Sequence, residues 1–434
     1  MTEHANQHRN HGLLVIGASQ SGVALAGSLR ALGWEEPITL LGEEDHRPYQ
    51  RPALSKDFLQ DKVDKEKLIF RARQYWDDHR IEVVQGERIE RIEKNPDGSG
   101  TAHAASGREF SFDRLALTVG ARARRLELDG NDLDGVLYLR NADDALELKA
   151  QMPSAEHLVV IGGGFIGLEA AASAHAMGKQ VTVLEVGPRL IGRAVGEETS
   201  QFFLDAHRAA GIDVQLGVQL SRIVGEDGHV TRIELGDGTL VPADIVLVGI
   251  GVVPNTELAE AMGLECENGI RVDEYALASD GHTVAIGDCA NMPNPIPGAP
   301  ADERLRLESV NNAVEHAKVA AYSLTGRREE YRSIPWFWSN QGSHKLQIAG
   351  LSVGHDRTVV RRDGSDGKLC VLYYREGRLI AADCVNSGVD FLDVKAALTK
   401  GLTVPADEAS DTDRRLKEMA VAGSPAPLSS TPRS

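Results

Sequence analysis

Two short phrases hold the residues whose types and spacing could do chemistry. Residues 158–178 read LVVIGGGFIGLEAAASAHAMG and place Gly162, Gly164 and Gly167 in GxGxxG spacing behind an apolar run. The first glycine permits a tight turn, and the second lets the backbone approach a pyrophosphate. The third lets a helix pack closely on a strand, and the helix N-terminus favours phosphate charge. Glu185 follows 23 residues after Gly162, at the end of a second apolar run. A carboxylate there accepts hydrogen bonds from a ribose 2′-hydroxyl and repels a 2′-phosphate, which favours NADH over NADPH. Residues 13–33, LLVIGASQSGVALAGSLRALG, repeat the phrase. Gly17 and Gly22 keep the outer positions, Ser19 replaces the middle glycine, and Glu43 lies just past the next apolar run. Serine is small, and its hydroxyl can bond a phosphate.

Each phrase requires a strand, a tight turn and a helix, so the chain holds two β-α-β dinucleotide units. Two such sites imply two cofactors. NAD facing FAD is the arrangement in which a hydride passes from nicotinamide to flavin and electrons leave singly.

Other segments must complete these units. The stretch 89–112 alternates and turns at Pro96-Asp97-Gly98, and 230–240 turns at Asp237-Gly238, as hairpins do. Apolar strands are expected at 113–119 and 245–250, a strand ending in an acid at 283–288, and a helix at 309–324. From about Tyr331 the texture changes. PWFWSNQ holds two of the four Trp, alternating runs at 345–351, 358–362 and 368–374 predict antiparallel strands, and 390–400 predicts a helix. This reads as a separate α+β domain, followed by a Pro- and Ser-rich, disordered tail.

The 434 residues exceed one ordinary domain, and 42% hydrophobic with 26% charged residues is the balance of a soluble globular chain. A net charge of −17 argues against nucleic acid or an anionic membrane as partner. No apolar run reaches the roughly 18 residues of a membrane helix. The polar start, MTEHANQHRNHG, is no signal peptide, so a cytoplasmic location is expected. Cys266, Cys289, Cys370 and Cys384 show no metal-ligand spacing, and no metal is expected. Residues 47–58 and 121–248 contain no cysteine, which disfavours disulfide reduction beside a flavin. A single-thiol peroxidase or oxidase at Cys289 stays open.

Seven segments carry a resemblance: RPYQRPALSKDF (47–58), VVIGGGFIGLEAA (159–171), VGIGVVPNTELA (248–259), GIRVDEY (269–275), AIGDCA (285–290), RLESVNNAVEHA (306–317) and PWFWSNQ (335–341). From about Leu14 to near Lys417 the chain resembles the FAD-dependent ferredoxin reductases of bacterial oxygenase systems. The resemblance implies an α/β fold with two Rossmann-like dinucleotide-binding domains, glutathione-reductase-like, plus a C-terminal α+β domain. It implies an FAD-binding domain at 12–120 and 249–326, an NAD-binding domain at 121–248, a C-terminal interface domain at 327–417, and disordered tails at 1–11 and 418–434. For FAD it implies Gly17, Ser19, Ser21 and Gly22 at the phosphates and Glu43 at the adenosine ribose. Arg51 and Pro52 would line the flavin edge, with Lys56 at the reacting edge. Ile89 and Arg140 would lie around the adenine and pyrophosphate, Asp288 at the ribityl or pyrophosphate, and Val310 at the pyrimidine end. For NADH it implies the GGGFIG turn with Gly162, Gly164, Ile166 and Gly167, then Glu185, and Gly251 near the nicotinamide. Glu169 would pair with Lys56 near the nicotinamide, and Trp338 would stand next to the flavin. Lys56, Glu169 and Trp338 are the expected catalytic residues.

The sequence departs from the family at Ser19, at LTVG (117–120) where LATG is usual, and at Ala53. The expected partner is a two-iron, two-sulfur (2Fe–2S) ferredoxin feeding an oxygenase, docked on Arg304, Arg306, Arg327, Arg328, Arg332 and Lys345. A rubredoxin reductase and a redox-sensing flavoprotein are the alternatives. A monomer or weak homodimer is expected.

Overall fold

The computed structural model describes residues 11–296, 300, 302–362, 364 and 367–422. The first glycine-rich phrase forms the strand Leu13–Ile16, a turn, and the helix Gln20–Ala31. Its strand sits inside a five-stranded parallel sheet ordered Val284–Ala285, Arg114–Leu117, Leu13–Ile16, Ile38–Leu41, Ile81–Val84. The second phrase forms the strand His157–Ile161 and the helix Phe165–Ala176. It centres a parallel sheet ordered Asp213–Leu216, Gln180–Glu185, His157–Ile161, Ile245–Val248, Val136–Leu137. LLVI and the LVVI of the second strand are buried at every position, as a parallel strand covered on both faces requires.

The chain passes between the two units twice. It leaves the first through Ala121–Ala123 and returns through Val252–Pro254, and these segments pair antiparallel. Asn255 locks the crossing, its Nδ2 donating to Val119 O at 2.8 Å and its backbone N–H to Gly120 O at 3.0 Å.

Both expected hairpins are present. Ile89–Lys94 and Gly100–Ala104 pair around the turn at 95–99, and His229–Leu235 pairs with Leu240–Pro242 around 236–239. The second gains a third strand, Leu220–Glu226, which the sequence hid because only Ile223 in LSRIVGE is buried. The acid-terminated strand at 283–288 is shorter than expected: Val284–Ala285 ends it, and a single turn, Gly287–Cys289, presents Asp288.

The C-terminal segment is an antiparallel sheet ordered Trp336–Gln341, His344–Gly350, Arg378–Val385, Leu369–Arg375, Arg357–Arg361, with the helix Gly388–Thr399 behind it. Both faces are covered. Val371, Tyr373 and Ala381 join the core of the second unit, whereas Cys370, Leu372, Tyr374 and Cys384 pack with Phe391 and Val394 of the helix. Double coverage explains the unbroken apolar run LCVLYY, which alternation alone does not predict. The chain stays folded past 417. Leu416 and Met419 fill the same core as Phe391, and Val421–Ala422 pairs with Leu402–Thr403. Residues 1–10 and 423–434, where the tails were expected, lie outside the described residues.

Candidate functional site

The two glycine-rich turns are built alike. Gly162 has φ +106°, and a Cβ on it would meet Gly249 O at 2.5 Å. A Cβ on Gly167 would meet Gly162 O at 2.5 Å, so strand and helix approach closely only without one. Around Gly164 the space is open, with Gly249 O at 3.9 Å the nearest atom a Cβ would meet, so a pyrophosphate fits against this backbone. Ile166 is exposed in the first helical turn. Glu185 stands at its end of strand. Its two carboxylate oxygens accept the Gly163 and Gly187 N–H groups, each at 2.6 Å, which fixes the side chain beside the turn. Gly251 has φ +103°, and a Cβ there would meet Arg193 Nη2 at 3.1 Å. Arg193 thus lies against Gly251, a cation that the sequence reading missed.

In the first turn Gly17 and Gly22 play the parts of Gly162 and Gly167. Ser19 is the N-cap residue of the helix Gln20–Ala31, and its hydroxyl accepts from Arg51 Nε at 3.2 Å instead of capping. The departure at 117–120 has a local use: the Thr118 hydroxyl donates to Gly17 O at 2.7 Å. Ser21 is buried, with its hydroxyl against Gly287, which carries no Cβ. Glu43 is exposed.

Arg51 is the hub of a polar cluster beside this turn. It donates to Arg140 O at 2.9 Å and pairs with Glu44, which also accepts from Tyr49 at 2.6 Å. Arg140 in turn pairs with Asp288 at 3.1 Å. Burial pushes the Tyr49 phenol well above its usual range, so it stays a neutral donor to Glu44. Ser19, Arg51, Arg140 and Asp288, far apart in sequence, therefore meet in one place. The cluster presents two guanidinium groups, each paired with a carboxylate, Glu44 or Asp288, a donor and acceptor set suited to a pyrophosphate and sugar hydroxyls.

Lys56 lies where three parts of the fold converge. Its Nζ is 2.6 Å from Glu169 Oε2, with side-chain exposures of 14% and 2%. Glu169 Oε2 also accepts from Ser55 Oγ at 2.6 Å, and Oε1 accepts from Ser339 Oγ at 2.8 Å. Lys56 comes from the first unit, Glu169 from the helix of the second, and Ser339 from the edge strand of the C-terminal sheet. A cavity of about 230 Å³ opens beside Lys56 and is also lined by Pro52, Val310 and Trp338. Val310 begins the helix Val310–Leu324, whose N-cap Ser309 accepts from Asn312 N at 3.0 Å. Trp338 stands half-buried, its ring 5.5 Å from that of Trp336. A larger hollow of about 460 Å³ lies by Tyr331 and Leu398 and contains none of these residues.

Four further residues that the sequence singles out make other contacts. Ile89 is packed in the core of the first unit, and no described polar contact ties it to the cluster. Arg304 and Arg306 are braces and not a docking surface. Arg304 Nη2 donates to Val272 O and Asn291 O, both at 2.5 Å, and Arg306 pairs with Glu308 at 2.6 Å while donating to Asp288 O at 3.1 Å. Reversing both charges should lower the unfolding temperature by several degrees, since each stranded acceptor costs about 1–3 kcal/mol. Unchanged melting with a raised acceptor KM would restore the docking assignment. Cys289 is fully buried, and burial pushes its thiol up to about 12. It points at the carbonyls of Ile286 and Leu117, so it offers no thiolate for peroxidase chemistry. Cys370 and Cys384 do meet, 3.6 Å apart, but inside the C-terminal core among Leu372 and Phe391.

Sequence reading also missed Ser55, Ser339 and Gln341. The alternation of WFWSNQ held the signal for two of them: Ser339 and Gln341 share one face of the strand, and both are buried. Among the described residues no helix is long and apolar enough to cross a membrane, and no group of three or more His, Cys, Asp or Glu is placed to hold a metal ion.

Comparison with known proteins agrees with this geometry. Residues 11–317 match the pyridine nucleotide-disulphide oxidoreductase family, and residues 336–420 match the reductase C-terminal family. Rhodocoxin reductase of Rhodococcus erythropolis is 42% identical over 405 residues, covering 93% of each chain. The crystal structure of a ferredoxin reductase from Rhodopseudomonas palustris superposes with a TM-score of 0.90 at 40% identity, over 95% of this chain and 100% of the other. Putidaredoxin reductase, solved in covalent complex with putidaredoxin, gives 0.88 at 35% identity, over 94% and 97%. The chain belongs to the pyridine nucleotide-disulphide oxidoreductase family, in its ferredoxin-reductase branch with the C-terminal reductase domain.

Proposed function

We propose that this protein is an NADH-dependent reductase that carries FAD and passes electrons singly to a 2Fe–2S ferredoxin serving an oxygenase. The observation that carries the reading is the buried Lys56–Glu169 pair, set beside a cavity that Pro52, Val310 and Trp338 also line. When bound, FAD supplies a hydride acceptor that can release electrons one at a time.

The chain's own residues have distinct tasks in this reading. Residues 12–120 and 249–326 hold the flavin, 121–248 hold NADH, and 327–417 close the site. Ser19, Ser21, Arg51, Arg140 and Asp288 bind the pyrophosphate and ribityl side, with Glu43 at the adenosine ribose. Gly162, Gly164 and Gly167 receive the NADH pyrophosphate, and Glu185 the adenosine ribose. Lys56 is a cation at the reacting edge, where it favours negative charge by Coulomb attraction. Glu169 keeps that cation in place and excludes water from its own side. Trp338 walls the cavity on the face toward the C-terminal domain. Arg327, Arg328, Arg332 and Lys345 are exposed and remain as docking charges for an acidic partner. All four cysteines are free, as suits a cytoplasmic protein.

The test is direct. Chromatography of the cofactor released on denaturation should identify FAD, and anaerobic titration of the holoprotein should bleach the flavin with NADH well before NADPH. A different flavin, or equal response to both nucleotides, would overturn the assignment.

A further inference from the structure

The Lys56–Glu169 pair is one end of a longer chain of buried hydrogen bonds. Ser339 Oγ donates to Glu169 Oε1 at 2.8 Å, Gln341 Nε2 donates to Ser339 Oγ at 3.2 Å, and His207 Nε2 lies 2.8 Å from Gln341 Oε1. All are deeply buried, with Ser339 at 0%, Glu169 and Gln341 at 2% and His207 at 5% exposure.

The donor inventory sets the polarity of this chain. A carboxylate only accepts, so Ser339 must spend its single proton on Glu169. Its oxygen then accepts from the amide nitrogen of Gln341, which turns the amide oxygen toward His207. That oxygen needs a donor, so the imidazole must carry its proton on Nε2. Burial lowers the His207 pKa, outweighing the hydrogen bond to Gln341, which raises it, and neighbouring His344 lowers it further, so the ring has one N–H to place. An amide does not shuttle protons readily, so the chain holds a geometry and does not conduct. Its members also span the fold: Lys56 from the first unit, Glu169 and His207 from two helices of the second, Ser339 and Gln341 from the edge strand Trp336–Gln341. In a low-dielectric interior each link strengthens the next, and a single missing donor leaves buried acceptors unpaired.

We infer that His207 is a positioning residue for the hydride site, its Nε2–H acting through Gln341 and Ser339 to aim the Glu169 carboxylate at Lys56 once the C-terminal sheet is docked. This rests on the proposed reading of Lys56 and Glu169.

Two measurements test it. Long-range proton–nitrogen NMR of the histidine-labelled protein, with and without flavin, should show His207 as the neutral Nε2–H tautomer at neutral pH. An Nδ1–H tautomer or a charged ring would overturn the inference. Rapid mixing of the holoenzyme with NADH should then show His207→Phe slowing flavin reduction about tenfold, with apparent NADH affinity changed by no more than about twofold. His207→Gln, whose amide nitrogen reaches the Nε2 position, should recover most of the rate. An unchanged rate in the Phe variant, or no recovery in the Gln variant, would contradict the role. Lys56→Met in the same series separates the two layers. If it is slow and His207→Phe is not, the positioning role alone fails; if Lys56→Met is also normal, the hydride site is misassigned.

Discussion

Lys56→Met should slow reduction of the bound flavin by NADH about a hundredfold, the scale seen when one preorganised charge is removed from a reacting centre. Methionine keeps the length and the apolar stem, so the cavity wall that Lys56 shares with Pro52 and Trp338 persists. The ammonium is lost, and with it the partner of Glu169 Oε2 at 2.6 Å. Glu169 is 2% exposed, so its charge would be stranded in the interior. Breaking a buried pair from one side costs about 3–5 kcal/mol, so the variant should also unfold at lower temperature. The two effects separate in the double variant. Lys56→Met with Glu169→Gln removes the stranded charge and should recover most of the stability while leaving hydride transfer slow. Thermal unfolding and anaerobic rapid mixing on the unsubstituted protein, Lys56→Met, Glu169→Gln and the double variant complete the cycle. A double variant that regains both stability and rate would show the pair to be structural only.

Glu185→Gln should narrow the preference for NADH over NADPH about tenfold. The Glu185 carboxylate is held beside the glycine turn by the Gly163 and Gly187 N–H groups, so its charge cannot swing away from an incoming nucleotide. A 2′-phosphate carries close to two negative charges. At about 4 Å in a water-like medium each would be repelled by about 1 kcal/mol, and the sum of about 2 kcal/mol corresponds to about thirtyfold before salt screening. Salt screens the half-exposed site, so the ratio should narrow further as ionic strength rises even in the unsubstituted protein. Glutamine keeps one acceptor for a backbone N–H and the size of the side chain, so the change should appear in kcat/KM for NADPH more than for NADH. An unchanged ratio would remove Glu185 from nucleotide selection.

The parts legible in the sequence were those that local spacing dictates. Gly162, Gly164 and Gly167 behind LVVI could only be a strand, turn and helix, and the structure builds them that way. The hairpins declared themselves through Pro96-Asp97-Gly98 and Asp237-Gly238. Long-range polar pairings were less legible. No pattern in sequence says that Ser339 will meet Glu169, 170 positions away, or that Gln341 will meet His207. Arg304 and Arg306 misled for the same reason. In sequence an arginine run reads as exposed charge, but the backbone carbonyls of Val272 and Asn291 and the Glu308 side chain had already claimed them. The strand Arg378–Val385 was hidden because Ala-Ala-Asp-Cys is small and carries the charged Asp383 at a position that is nevertheless buried.

In the proposed function, electrons from NADH leave this protein toward an iron–sulfur partner. NADH-driven cytochrome c reduction, measured with and without a bacterial 2Fe–2S ferredoxin, tests it most directly. The rate should rise greatly with the ferredoxin, and the rise should disappear in Lys56→Met. Slow direct turnover that no ferredoxin accelerates would contradict it.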